Sequence, residues 1–159
     1  MEAVGEKEKV KVWDLCASEH LEQCALVQWK WLNIGRHPEL ANLFAIANGG
    51  RRDGATGARL KAEGVLAGVP DLFLACPRGA YAGLFVEMKV KPNRPTEKQL
   101  EVMENLRRQN YAVLVCYGWE QARDAILEYL RGKSWDSREL LEWVAQKHAT
   151  AKTEGEKEC

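Results

Sequence analysis

Two short apolar runs on either side of a turn constrain the fold of this chain more than any other feature. The runs are Gly64–Cys76 and Gly83–Lys89, and Gly79 lies in the turn between them. Apolar runs around a Pro, Arg and Gly turn predict two strands that pair as a hairpin. Both runs also contain charged residues, at positions where a strand that only filled a core would carry Val or Ile.

The charged residues are Asp71 in the first run and Glu87 and Lys89 in the second. Side chains alternate between the faces of a strand, so Glu87 and Lys89 share a face. A hairpin that turns about Gly79 places Asp71 opposite Glu87, with their Cβ atoms roughly 5 Å apart. Carboxylates this close repel each other, and a hard divalent cation with oxygen ligands removes that penalty. The arrangement predicts half of a Mg²⁺ or Mn²⁺ site, although such a loose spacing of acids also arises by chance.

The other apolar patterns predict the order helix, strand, loop, strand, strand, helix, strand, helix, helix. The helices are predicted at 19–32, from 96 onward with a core stripe of Leu100, Met103 and Leu106, at 119–130 and at about 136–147. Further strands are predicted at 43–47 and 111–117, and residues 55–67 as short helical or irregular structure. A hairpin that leads through a helix into another strand indicates an α/β fold with a mixed central sheet and helices on its faces.

Two polar residues outside the hairpin are candidates for the same site, and each also has a purely structural explanation. Glu19 lies in the first turn of the first helix, which Ser18 caps, and an acid there favours the helix dipole. Gln99 lies in the first turn of the helix after the hairpin, where it forms a capping box with Thr96. The residues alone leave both explanations open.

The charge distribution favours a nucleic-acid partner locally but not globally. The chain has 23 basic and 23 acidic residues. Residues 51–98, however, contain nine basic and five acidic residues, an excess of four positive charges that suits a phosphate backbone. An Asn-Gly-Gly turn followed by two arginines predicts a loop that approaches such a backbone, or else a solvated basic loop. The candidate DNA contacts are Asn48, Arg51, Arg52, Lys91 and Arg94.

The length of 159 residues and an apolar fraction of 46% indicate one folded domain. We expect an N-terminal arm at 1–17, the domain at 18–131, a C-terminal helix within 132–148 and a disordered tail at 149–159. No apolar run is long enough to span a membrane, and the charged N-terminal segment lacks the apolar core of a secretion signal. The five cysteines have no Cys-x-x-Cys spacing and are expected to be reduced thiols, which predicts a cytoplasmic protein.

Several segments of the chain form a combined pattern. They are Asn-Gly-Gly at 48–50, Lys-Ala-Glu-Gly at 61–64, Gly-Val-Pro-Asp ending at Asp71, Gly-Leu-Phe-Val-Glu-Met-Lys at 83–89 and Gln99. Over about residues 18–130 this pattern resembles the VRR-NUC branch of the PD-(D/E)xK nuclease superfamily, and most of all its small standalone phage-type members. One position departs from it, because Ala47 stands where Pro commonly precedes Asn-Gly-Gly. That departure affects the expected loop conformation and not the expected metal site.

The resemblance implies a restriction-endonuclease-like core and a Mg²⁺- or Mn²⁺-dependent DNA endonuclease. Asp71 and Glu87 would bind the metal together with the backbone carbonyl of Met88, and Lys89 would be the catalytic lysine. Gln99 would support them. Glu19 would be the first-helix acid, also a metal ligand, with Glu22 as the alternative.

Standalone members of this family resemble homodimeric resolvases of four-way (Holliday) junctions. The resemblance therefore implies a homodimer that acts on branched DNA in a bacterial or phage-infected cell. Two alternatives remain, namely a nuclease directed to flaps or ends, and a DNA-binding module without catalysis.

Overall fold

The computed structural model of the chain describes residues 18–47 and 54–132, together with Glu139, Glu142 and Gln146, which are helical. The helices of the two described ranges are α1 (Glu19–Asn33), α2 (Gly54–Ala62), α3 (Glu97–Arg108) and α4 (Trp119–Leu130), with a 3₁₀ helix at Pro38–Asn42. The strands are β1 (Leu43–Ala45), β2 (Leu72–Leu74), β3 (Leu84–Lys89) and β4 (Ala112–Tyr117). The predicted N-terminal arm, the 48–52 loop, the C-terminal tail and most of the predicted C-terminal helix lie outside the described residues.

The strands form one mixed sheet in the order β1-β2-β3-β4. β1, β2 and β3 pair antiparallel, whereas β3 and β4 pair parallel. A parallel neighbour requires a crossover, and α3 supplies it between β3 and β4. The predicted α/β fold with a mixed sheet is confirmed.

The pairing of β2 with β3 confirms the predicted register of the hairpin. Leu72 pairs with Val86 and Leu74 with Leu84. Continuing this ladder by one pair places Asp71 across from Glu87. Beyond Leu74 the two strands separate. An isolated bridge pairs Arg78 with Tyr81 across the Gly79 turn, and the chain then enters β3.

The core lies on both faces of the sheet. On one face Leu84, Val86 and Met88 pack in a buried cluster that includes Leu26 of α1 and Ile126 of α4. On the other face Phe85 and Val113 pack with Met103 and Leu106 of α3. Side chains of β3 therefore point alternately into the two buried clusters. Glu87 and Lys89 are on the same face of the strand as Phe85.

The predicted core stripe of α3 was wrong at Leu100, which is 50% exposed. The buried residues of α3 are Val102 and Met103, and Leu106 packs beside them. Residues 99, 102, 103 and 106 follow the i, i+3, i+4, i+7 spacing of one helix face, from which Leu100 is rotated by about 100°. Gln99, rather than Leu100, therefore faces the sheet.

Glycine at position 68 sets how closely the approach to β2 packs on α3. Gly68 has φ +90°, and a Cβ atom there would lie 2.9 Å from the backbone oxygen of Lys98. A side chain would be strained at that φ and would push the two segments apart. This contact fixes the start of α3 next to the segment that leads to Asp71.

Within the described residues, no helix is both long and apolar enough to cross a membrane. The cysteines of this part, Cys24, Cys76 and Cys116, are free thiols.

Candidate active site

The polar residues singled out in the hairpin converge at the end of β3. Glu87, Met88 and Lys89 are the last residues of that strand, and Asp71 immediately precedes β2. Gln99 reaches them from the first turn of α3, and α1 contributes Glu19 from its own first turn. Two helices, α1 and α3, thus meet the hairpin at one place.

Glu87 is the centre of this group. Its side chain is fully buried, and its Oε1 accepts a hydrogen bond from Lys89 Nζ at 2.5 Å. The same oxygen accepts a second hydrogen bond from Gln99 Nε2 at 2.5 Å. The other oxygen, Oε2, is buried and has no hydrogen-bond partner among the described residues. Buried polar atoms without a partner are rare in folded proteins, so this oxygen is suited to an additional ligand.

Gln99 makes both the capping contact and a contact to the candidate site, the two explanations that the sequence left open. Its Oε1 accepts from the backbone N–H of Thr96 at 2.9 Å, which completes the capping box. Its Nε2 is directed at Glu87. Because the two ends of one amide serve different partners, the structural role does not exclude the functional one.

Asp71 is held against the backbone of β3. Its Oδ2 accepts a hydrogen bond from the N–H of Met88 at 2.8 Å. The Met88 carbonyl faces the same region, since Lys89 Nζ donates to it at 3.2 Å. The Glu87 carboxylate and the Met88 carbonyl therefore contact the ammonium group of Lys89, and the Asp71 carboxylate, the third predicted source of oxygen ligands, is held on the Met88 N–H.

Glu19 and Glu22 have different partners. Glu19 Oε2 lies 3.5 Å from Lys89 Nζ, and its Oε1 accepts a hydrogen bond from Asn93 Nδ2 at 3.2 Å. Glu22 instead accepts from the backbone N–H of Trp119 at 2.7 Å and so joins α1 to the start of α4. Glu19 is therefore the first-helix acid that lies beside the catalytic lysine candidate. No sequence pattern identifies Asn93 as a site residue, because its partner is 74 residues away along the chain.

Comparison with known proteins identifies the family of the chain. The family model of the VRR-NUC domain matches residues 6–120, well over half of the chain. The chain belongs to the VRR-NUC family. A solved structure named "VRR_NUC domain protein" is similar, with a TM-score of 0.61 and 26% sequence identity over 75% of this chain and 93% of that chain. Among curated proteins no significant match was found.

A VRR-NUC domain is a nuclease-type domain that processes DNA. The atoms that this site offers as metal ligands are oxygens, which suit a hard cation such as Mg²⁺ or Mn²⁺. The orphaned Oε2 of Glu87, the Asp71 carboxylate and the Met88 carbonyl fit such an ion. Within the described residues, no group of three or more His, Cys, Asp or Glu side chains is gathered closely enough to hold a metal. The fit of a metal ion therefore depends on the carboxylates of Asp71 and Glu87 and on the backbone carbonyl of Met88. Glu19 is in contact with Lys89.

Burial shifts the protonation of the VRR-NUC site. It raises the pKa of Glu87 to about 7, the hydrogen bond from Lys89 lowers it in part, and the charge of Asp71 raises it again. Burial also raises the pKa of Asp71, against the lowering effect of its hydrogen bond from Met88. For Lys89, burial lowers the pKa, but the hydrogen bond and charge of Glu87 outweigh burial, so the pKa is raised. Lys89 is therefore a cation at neutral pH, as predicted.

The raised pKa of Glu87 predicts a pH-dependent stability of the metal-free protein. The folded state keeps the Glu87 proton up to about pH 7, whereas the unfolded state releases it near 4.5. Stability from this group is thus fully present below pH 4.5 and is lost as the pH rises through 7, by about 3 kcal/mol. Urea unfolding in EDTA at several pH values between 4.5 and 7.5 measures this slope. In Glu87→Gln the slope should become shallower by the contribution of Glu87, leaving that of Asp71, whose pKa is also raised by burial. An equal slope in both proteins would contradict the prediction.

The candidate DNA contacts divide into two sets. Lys91 and Arg94 are exposed in the loop between β3 and α3, which also carries Asn93. Their position next to the site is compatible with contact to a phosphate backbone. Asn48, Arg51 and Arg52 lie outside the described residues.

Proposed function

We propose that the protein is a Mg²⁺- or Mn²⁺-dependent endonuclease that hydrolyses phosphodiester bonds in branched DNA, and that it acts as a homodimer on four-way (Holliday) junctions. The family assignment supports a nuclease. The metal, the branched substrate and the homodimer extend that assignment. They follow from the resemblance of the chain to standalone VRR-NUC nucleases.

The observation that carries the metal-dependent reaction is the state of Glu87. It is a fully buried carboxylate with one oxygen bound by Lys89 and Gln99 and the other without a partner among the described residues. A purely structural ion pair would use both oxygens, because an unsatisfied buried acceptor costs about 1–3 kcal/mol. A divalent ion shared with Asp71 would satisfy this oxygen and offset the repulsion between the two acids.

Each side chain has a defined task in the proposed reaction. When bound, the metal ion supplies a water of lowered pKa and neutralises charge on the scissile phosphate. Lys89, which is protonated, orients the attacking water and stabilises the negative charge that develops on the phosphate. Gln99 fixes the Glu87 carboxylate and thereby the ammonium group of Lys89. The N–H of Met88 fixes Asp71.

The charge around the site supports a polyanionic substrate. Lys91 and Arg94 would bind the DNA backbone next to the cut. Asn48, Arg51 and Arg52 are proposed to bind the same backbone from the 48–52 segment. Two copies related by a two-fold axis would present two sites to the two strands of a junction that are cut symmetrically.

A panel of labelled substrates tests the proposal. Purified protein is incubated with junction, flap, single-stranded and duplex DNA in Mg²⁺, in Mn²⁺ and in EDTA, and its oligomeric state is measured by gel filtration with light scattering. We expect a dimer that makes paired cuts in the junction only when metal is present. Absence of cleavage of every substrate would contradict the nuclease, and cleavage of flaps or ends by a monomer would contradict the junction and the homodimer. DNA binding that is unchanged in Asp71→Asn, with no cleavage by either protein, would favour the non-catalytic module.

A further inference from the structure

A groove next to the candidate active site is lined by apolar and basic residues that have no task in the proposed reaction. Its volume is about 730 Å³, and it lies between α2, the segment that follows α2, and the first turn of α3. Leu60, Val65 and Leu66 form an apolar wall, and Lys61 and Lys98 provide positive charge. Leu66 is 53% exposed and keeps this apolar wall open to a ligand.

The charges of the groove suit an anion. Its described lining contains two lysines and no acidic residue. Lys98 pairs with Glu101 at 3.1 Å, but both side chains are more than half exposed, so this ion pair is screened and is easily exchanged for another anion. Lys61 is in the last turn of α2 and makes no ion pair within the described residues. Two ammonium groups beside an apolar wall match a ligand with a phosphate and a flat apolar surface.

Both walls of the groove continue into the catalytic group. Lys98 directly precedes Gln99, whose amide binds Glu87. The opposite wall ends at Ala67, four residues before Asp71, and Gly68 there packs against the backbone of Lys98. A DNA strand with one phosphate at Asp71 and Glu87 would therefore have its neighbouring nucleotide at this groove.

We propose that the groove binds an unpaired nucleotide next to the scissile phosphate, with its base against Leu60 and Leu66 and its phosphate between Lys61 and Lys98. This inference rests on the proposed nuclease function and names the part of the substrate that the enzyme selects. The groove volume is within the range of sites that enclose small organic ligands. Unstacking a nucleotide costs less where pairing or stacking is already interrupted, as at an opened branch point, than within intact duplex, so the groove favours branched DNA.

Binding of a fluorescent junction tests this site. The full-length protein with Lys89→Met, which is expected to cleave about 10²- to 10³-fold more slowly, is titrated with four-way junctions that carry 2-aminopurine beside the cut position. We expect 2-aminopurine emission to rise on binding. The added pair Lys61→Ala and Lys98→Ala should weaken binding about tenfold or more, remove the emission rise and reduce the slope of log affinity against log salt by about 2. Leu66→Ser should reduce the emission rise but keep the salt slope.

Arg59→Ala is the matched control, because Arg59 is an exposed base on the same helix that pairs with Glu63 and does not line the groove. It should leave binding, emission and slope unchanged. Melting curves check that each variant is folded, and Leu66→Ser decides the question if the lysine variant is not. If the wild-type protein cuts junctions while both groove variants bind and report as Lys89→Met alone does, the groove proposal is wrong and the proposed function stands. If the wild-type protein neither binds nor cuts any DNA, both are wrong.

Discussion

Replacement of Lys89 by Met is expected to reduce the rate of DNA cleavage by about 10²- to 10³-fold while affinity for DNA stays within about threefold. This is the loss found when one preorganised group that stabilises developing charge is removed. Lys89 is suited to that task because it is 6% exposed and its pKa is raised, so it is a fixed cation next to the proposed position of the phosphate. Single-turnover cleavage and fluorescence anisotropy measure the two quantities separately.

Arg108→Met is a suitable control for this prediction. Arg108 is an exposed base at the far end of α3 that pairs with Glu104, and its loss should change neither rate nor affinity. Lys89→Arg should also be slow, since a guanidinium is larger, planar and hydrogen-bonds differently from an ammonium group. The removal of Lys89 leaves Glu87 without its cation, so thermal unfolding must be compared in all three variants. A Lys89→Met protein that is folded and cleaves at the wild-type rate would exclude Lys89 as the catalytic lysine.

The register of the hairpin could be predicted because it depends on local rules. Side chains alternate along a strand, and the position of the turn fixes which residues face each other, so Asp71 and Glu87 could be paired before any coordinates were known. The fold class followed in the same way from apolar patterns, since only a crossover helix can join β3 to a parallel β4. The hairpin register and the fold class both depend on patterns among residues that are close together in the sequence.

Contacts between distant parts of the chain could not be predicted in this way. Asn93 binds Glu19 across 74 residues, and Glu22 binds the start of α4 across 97. Neither residue has a spacing that identifies its partner. The error at Leu100 has a related cause, because three apolar residues at i, i+3 and i+6 describe a helix face almost as well as the observed one. Only the position of Gln99 over the sheet decides between the two faces.

Asp71→Asn is expected to reduce the rate of metal-dependent cleavage by about 10³-fold and at the same time to stabilise the metal-free protein. Asparagine keeps an oxygen that can accept the hydrogen bond from the Met88 N–H, so the local structure is retained. It removes a carboxylate whose pKa is raised by burial, which means that its charge opposes folding at neutral pH. It also removes one of two acids that repel each other, so the melting temperature at pH 8 in EDTA should rise.

The loss of function should be traceable to the metal. Isothermal titration of Mn²⁺ should give binding to the wild-type protein and at least about 100-fold weaker binding to Asp71→Asn, and Mn²⁺ should raise the melting temperature of the wild-type protein only. Glu22→Gln is the matched control, because Glu22 is an acid of the same helix as Glu19 but accepts its hydrogen bond from the backbone N–H of Trp119, whereas Glu19 contacts Lys89. Its Mn²⁺ affinity should equal that of the wild-type protein. Equal Mn²⁺ binding by wild type and Asp71→Asn would mean that Asp71 is not a ligand, whereas lower stability of Asp71→Asn in EDTA would mean that its charge supports the fold instead of opposing it.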